Sequence, residues 1–209
     1  SLTGFPYAAL VLCVVARLVR FIVAGAARYA RAALVTDLLD VSRLQADVLA
    51  IAEIATDPAE TIAPALDELK FGPTDVTLAL NHADALAYAD PVLLQRALVN
   101  LLTNAHRYSP AGTPIHVSTS TFGNRLEIRI IDRGPGIPPE KMDDIFVPFQ
   151  RLGDTDNSTG LGLGLALSRG FVEAMHGTLT PEDTPGGGLT MVISLPTTAA
   201  HQHTTEATP

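Results

Sequence analysis

The 209-residue sequence has no tryptophan, a single cysteine (Cys13) and two lysines against twelve arginines. A lone cysteine excludes a disulfide framework and a cysteine-rich metal site. Charged residues make up 17% and hydrophobic residues 47%, which excludes general disorder. The net charge of −8 argues against nucleic acid held by bulk charge. Acid is what the first 36 residues lack: none precedes Asp37, while Arg17, Arg20, Arg28 and Arg31 give +4 and leave −12 for the remainder. A long apolar run is missing too. Tyr7–Ala16 holds ten residues before Arg17 and Arg20 interrupt the chain, where a membrane span needs about 20. Each arginine at a helix centre would cost roughly 2.5–3.5 kcal/mol on insertion scales. A signal peptide fits poorly, because the charge comes after the apolar run. Three readings stay open for residues 1–34: a buried or pairing helix, a basic interfacial helix meeting a membrane surface through residues 5–33, or a segment with no proper fold. The first residue is Ser and not Met, as expected of a fragment or processed product.

The pattern sharpens from Leu34 onward. Leu34, Leu38, Val41, Leu44, Val48 and Ile51 recur at helical spacing, with Asp37, Asp40, Arg43 and Asp47 between them. Such a helix suits a helical hairpin or dimer bundle, or packing on its own domain. Pro58, Pro64, Gly72 and Pro73 mark a linker with a short helical stretch. Val76–Leu80 reads as a strand, and Asp90-Pro91 as a helix start with a carboxylate N-cap. Ile115–Thr121 and Leu126–Ile131 read as a hairpin around Phe122-Gly123-Asn124. Leu161–Met175 reads as a helix closed at Gly177, and Met191–Leu195 as a last strand. The expected division is 1–34 atypical and helical, 35–72 a dimerisation-helix remnant with linker, 73–196 a catalytic domain, and 197–209 a disordered tail. The expected class is α+β, a two-layer sandwich of helices on a mixed sheet preceded by a helical segment. Alternating βαβ units are absent, so the glycines do not read as a dinucleotide fingerprint.

Four clusters occur in order along the chain. Asn100 and Asn104, four apart, place two amides on one helical face. An amide oxygen is a hard neutral ligand suited to Mg²⁺; two solvated or capping asparagines are the bland alternative. Asp132-Arg-Gly134-Pro-Gly136-Ile137 ends a strand, where a carboxylate can accept from an exocyclic amine and glycines allow close backbone approach; an ordinary strand-to-loop turn would look the same. Phe146-Val-Pro-Phe149-Gln-Arg151 offers two aromatics and an arginine, a flap over a nucleotide or a hydrophobic anchor for the loop. Gly160-Leu161-Gly162-Leu163-Gly164-Leu165 enters a helix, where exposed N–H groups favour phosphate. The polar stretch Asp154–Thr159 before it fits a lid. The ending of a Walker loop is missing.

In order and spacing the clusters resemble the N, G1, F and G2 boxes of sensor histidine kinases, which share the GHKL (Bergerat) ATP-binding fold. Thr184-Pro-Gly186-Gly-Gly-Leu-Thr190 looks like the next glycine box. The likeness spans roughly residues 34–196 and looks closest to the potassium-sensor kinases, through Leu38–Gln45, Phe149–Gly153, Gly162–Gly170 and Thr184–Leu195. It implies ATP and Mg²⁺ as cofactors, with Asn104 as metal ligand and Asn100 beside it at the reaction centre. It implies Asp132 as the adenine reader and Tyr108 and Ile137 against the base. Arg107 or Arg151 would approach the phosphates, and Gly160, Gly162 and Gly164 would face them. Gly134, Gly136, Phe149, Leu161, Leu163 and Leu165 complete the implied nucleotide site, and Thr190 would support it from the last strand. Implied partners are a response regulator and an intact dimerisation hairpin, in the cytoplasm, as part of or derived from a membrane-anchored sensor kinase.

The sequence departs from that pattern in two respects: residues 5–33 are apolar and basic where the family's hairpin should be charged and amphipathic, and the acceptor motif is missing. The family needs a histidine followed by an acid and an Arg-Thr-Pro run, and none exists here. The six histidines are His82, His106, His116, His176, His201 and His203, and each is expected to be structural or solvated. Two functions stay open: a kinase catalytic region whose acceptor lies elsewhere, or an ATP-binding module without autokinase activity. A third reading, another GHKL protein such as a gyrase-like ATPase, is disfavoured by the helix around Asp37–Gln45 and by the Phe box.

Overall fold

The computed structural model describes residues 35–199, apart from 45, 47, 48, 82–84 and 150–161. A helix over residues 35–44 (α1) comes first. After it come β1 (Ile54–Thr56), α2 (Pro58–Leu69), β2 (Val76–Leu80), β3 (Ala87–Ala89), α3 (Pro91–Tyr108), β4 (Ile115–Phe122), β5 (Arg125–Ile131), α4 (Gly164–Ala174), β6 (Thr178–Asp183) and β7 (Leu189–Pro196). Two short 3₁₀ turns, Pro139–Lys141 and Asp144–Phe146, lie between β5 and α4.

Capping chemistry fixes the helix starts. Asp57 Oδ1 accepts from Ala59 N at 2.8 Å with Pro58 in the first turn. Asp90 Oδ1 accepts from Val92 N at 2.9 Å and Leu93 N at 3.2 Å with Pro91 behind it. Each cap satisfies N–H groups that the helix cannot, a contribution of about 1 kcal/mol. α3 then buries Leu93, Leu94, Ala97, Leu98, Leu101, Leu102 and Ala105 along one side. Burial of each leucine contributes roughly 1.5–3 kcal/mol, which makes α3 the main helix of the core.

A five-stranded sheet in the order β2-β4-β5-β7-β6 supplies the other layer. β2 runs parallel to β4, and the remaining pairs are antiparallel. Alternation puts Val117, Ile130 and Met191 in register on the helix side, with Ile128 paired to Ile193 one step along. The opposite face carries Arg129, joined to Glu127 and Glu182. The protein is therefore an α+β sandwich of helices on one face of a mixed sheet, as its periodicity implied.

Several boundaries differ from the sequence reading. β1 pairs with β3, Ile54 opposite Ala89, and Ala52 N donates to Asp90 Oδ2 at 2.8 Å. α2 contributes Ile62 and Ala65 to the core. Residues 54–72 thus fold with the sheet domain, because the proline-rich stretch is a capped helix and not a linker. β6 was hidden by Pro181, which an edge strand tolerates. Gly177 N closes α4 by donating to the Val172 carbonyl at 2.9 Å, but Gly177 is not the left-handed residue. His176 takes the left-handed position (φ 56°), while a Cβ on Gly177 would stand 2.8 Å from both the Ser194 carbonyl and Leu195. The expected tail starts late: Thr197 bridges Ala87 and donates to the Asn124 carbonyl, and Thr198 N donates to the Leu86 carbonyl.

The stripe expected on α1 splits. Val41 and Leu44 pack on the core, whereas Leu38 is exposed. Asp40 takes the buried place instead, because Arg96 pairs with it. Among the described residues, no helix is long and apolar enough to cross a membrane. The segment 1–34, with its open readings, lies outside the described residues.

Candidate nucleotide site

β5 delivers Asp132 to the sheet edge, where it is buried at 6% exposure. Its Oδ1 accepts from Gly134 N and from Leu189 N, each at 2.9 Å. The Asp132 backbone N donates to the Leu189 carbonyl at 2.9 Å, so the first residue of β7 grips Asp132 at both ends. Oδ2 has no hydrogen-bond partner among the described residues. Two N–H donors on one oxygen fix the carboxylate plane.

The turn before β7 forms the wall beside it. Gly186, Gly187 and Gly188 have φ of 87°, 101° and 116°. A Cβ on Gly188 would fall 2.1 Å from the Asp132 carbonyl oxygen. A Cβ on Gly136 (φ 72°) would stand 3.2 Å from the Gly188 oxygen. Only glycine admits this approach at these dihedrals. Thr190 is buried, and its hydroxyl lies 2.9 Å from that of Thr184, across the base of the same turn. Gly134 lies against the end of α3, where a Cβ would be 2.7 Å from the Tyr108 carbonyl oxygen. Ile137 is half-buried against the core.

α3 and α4 meet at the other end. Asn100 Nδ2 donates to the Gly164 carbonyl at 3.4 Å, and Ser168 Oγ donates to the same oxygen at 2.9 Å. Asn104, one turn on, is half-buried and has no hydrogen-bond partner among the described residues. Arg107 and Tyr108 are exposed at the end of α3. Leu163 is buried, and Leu165 is packed on the core behind Gly162 and Gly164. Phe149 is 60% exposed with φ 65°, and its N–H donates to the Gly162 carbonyl at 3.1 Å. Phe146 is buried under the Arg169 guanidinium, 4.7 Å from its ring centre. The Phe box thus holds an anchor and an exposed aromatic together. Arg151, Gly160 and Leu161, with the expected lid over 154–159, lie outside the described residues.

Gly134 thus lies between Asp132 and Tyr108 at the end of α3, Gly136 lies against Gly188 beside Asp132, and Asn100 lies against Gly164 at the start of α4. The sequence reading did not assign Leu189 N–H a part, since a backbone donor leaves no residue-type signal. His106 lies against Phe71, with ring centres 4.8 Å apart, and His116 Nδ1 lies 2.9 Å from Thr77 Oγ1. His176 is exposed beside Glu53. His82, His201 and His203 are outside the described residues.

The family model described as histidine kinase-, DNA gyrase B- and HSP90-like ATPase matches residues 89–199, more than half of the chain. The chain belongs to that family. It is 59% identical over 167 residues to the sensor protein KdpD of Rathayibacter rathayi, covering 80% of this chain and 19% of that protein. It is 44% identical over 169 residues to KdpD of Mycobacterium tuberculosis, covering 78% of this chain and 20% of the other. The chain thus spans about a fifth of the length of these relatives. Among solved structures, the mycobacterial sensor histidine kinase MprB matches with a TM-score of 0.60 at 28% identity, covering 70% of this chain and 98% of that one. Full-length ShkA, solved in complex with AMPPNP, matches with a TM-score of 0.67 at 25% identity, over 79% of this chain and 35% of that one. The described domain is a histidine kinase ATPase domain of the KdpD-like type.

Proposed function

We propose that this chain is the catalytic ATP-binding region of a KdpD-like two-component sensor kinase. It transfers the γ-phosphoryl of ATP to a histidine on a dimerisation hairpin that this sequence does not contain. The observation that carries the reading is Asp132. One carboxylate oxygen is saturated by two backbone donors and the other is left without a described partner, the geometry needed to accept from adenine N6. Tyr108 and Ile137 flank the base, while Gly134 and Gly136 admit it. Asn100 and the backbone N–H groups around Gly162 and Gly164 receive the phosphates, with Arg107, Arg151, Gly160 and Leu161 as the remaining contacts. ShkA, solved with an ATP analogue, supports the choice of ligand.

The Asn104 amide suits Mg²⁺: its oxygen is hard, neutral and half-buried, with no described partner to compete. Among the described residues no group of three His, Cys, Asp or Glu side chains could hold a metal, so Asn104 would share the ion with the nucleotide's phosphates. The ion supplies neutralisation of phosphate charge. The residues of the chain hold the nucleotide in line and dry, and positioning and electrostatics carry phosphoryl transfer. A KdpE-like response regulator would take the phosphoryl group next, in the cytoplasm.

The absence of a His-acid-Arg-Thr-Pro motif favours one finer statement: this chain binds Mg-ATP and does not phosphorylate itself. Incubation with γ-labelled ATP tests it. The reading expects no acid-labile label on this chain alone, and label on a separately supplied kinase hairpin bearing the acceptor histidine. Acid-labile label on this chain contradicts it. Nucleotide binding with no transfer to any supplied hairpin supports the alternative, a module without kinase activity.

A further inference from the structure

The turn that grips Asp132 contains three consecutive glycines, the least restrained backbone available. Two backbone bonds close the turn, from Thr184 N to the Gly188 carbonyl at 3.2 Å and from Gly187 N to the Thr184 carbonyl at 2.9 Å. Two side-chain ties are described beside them. Thr184 and Thr190 join hydroxyls across its base. Arg133, the residue after Asp132, reaches over the turn, and its Nη1 donates to the Pro185 carbonyl at 2.8 Å. The same nitrogen would lie 3.6 Å from a Cβ on Gly186. Leu189 N, which holds Asp132 Oδ1, emerges from the far side of this turn.

We propose that Arg133 is a positioning residue for the base end of the site. It clasps the triglycine turn onto the strand end, and so sets Leu189 N–H and through it the carboxylate plane of Asp132. The inference rests on Asp132 as the adenine reader. The clasp works through geometry. Pinning a flexible turn before the ligand arrives removes an ordering cost that binding would otherwise carry. A phosphate contact by the same guanidinium would make a different prediction. It would act through charge, fade with salt and serve any nucleotide equally.

The experiment uses the full 209-residue chain with Arg133→Ala, Arg133→Lys and Asp132→Asn. ATP, GTP and inorganic tripolyphosphate are titrated at low salt and at about 0.5 M salt, a screening concentration where the Debye length is only a few ångström. The amide exchange of Leu189 is measured by NMR in the unliganded protein. Arg133→Ala is expected to weaken ATP about three- to tenfold at both salt concentrations, the worth of one ordinary hydrogen bond felt through the turn. Tripolyphosphate affinity should be unchanged, the Leu189 amide should exchange faster, and Arg133→Lys should recover part of the loss. Unaltered Leu189 exchange overturns the proposal. So does a loss that disappears at high salt or extends equally to tripolyphosphate. If Asp132→Asn leaves ATP affinity intact, the adenine assignment itself fails. Loss in Asp132→Asn with no change in Arg133→Ala overturns the clasp alone.

Discussion

Arg96 on α3 holds the buried carboxylate of Asp40 on α1, while its guanidinium lies 4.7 Å over the Phe171 ring of α4. One side chain therefore joins three helices. Asp40 is 4% exposed at its side chain and Arg96 is one-third exposed, so the pair is only partly screened. Removing Arg96 leaves a carboxylate buried without its partner, which costs several kcal/mol where burial is complete. With one partner partly wet, Arg96→Ala is predicted to destabilise by about 2 kcal/mol in urea unfolding. The Asp40→Ala/Arg96→Ala double variant should lose less than the two single losses added together. Strict additivity would show that the pair is not coupled.

Asp37 has the opposite balance. Burial pushes its carboxyl above the usual value; Arg96 opposes the shift and Asp40 adds to it. A carboxyl whose folded value is raised binds protons more readily in the folded state. Its ionisation lowers stability as pH rises from its unfolded value through the folded one, and protonation restores that stability on acidification. Asp37→Asn is predicted to be neutral or stabilising at pH 7, and to flatten this part of the acid-range stability profile. Clear destabilisation at pH 7 would mean that attraction to Arg96 outweighs burial.

Two glycines separate helix docking from nucleotide binding. A Cβ on Gly170 would meet the end of the Leu44 side chain at 2.6 Å, and that side chain can turn aside. Gly170→Ala should loosen α1, seen as faster proteolysis after it, with ATP affinity kept. A Cβ on Gly188 would meet the Asp132 backbone oxygen, which cannot move away. Gly188→Ala is predicted to lose ATP binding and at least about 2 kcal/mol of stability, from clash and strained dihedrals together.

Asn104 makes no hydrogen bond within the described residues, so its side chain is available to a ligand. Asn104→Ala should leave the melting temperature within about 1 °C, since no buried partner is stranded. It should also erase most of the Mg²⁺-dependent gain in ATP affinity, measured as the ratio of Kd with and without the ion. A preserved ratio removes Asn104 as the metal ligand.

Much of the fold was legible in the residues. Asp90-Pro91 announced α3, and alternation in Leu126–Ile131 announced a half-buried strand. The misses share a physical reason: tertiary contacts outweighed local preference. Pro181 lies in a strand because β6 is an edge. His176 and not Gly177 is the left-handed residue, while Gly177 lies against Leu195 and Ser194. Asp40 is buried where Leu38 was expected, because its partner is 56 residues away. The grip of Leu189 on Asp132 was invisible because it is made by backbone.

The central claim is that Asp132 reads adenine, and calorimetric titration of ATP into the wild-type chain and Asp132→Asn tests it most directly. Asparagine keeps an oxygen for Gly134 N and Leu189 N and places an N–H₂ donor where the adenine amine would also donate. The account predicts unchanged folding and ATP affinity at least about thirtyfold weaker, the cost of one lost hydrogen bond and one donor facing another. Equal affinity of the two proteins for ATP would contradict it.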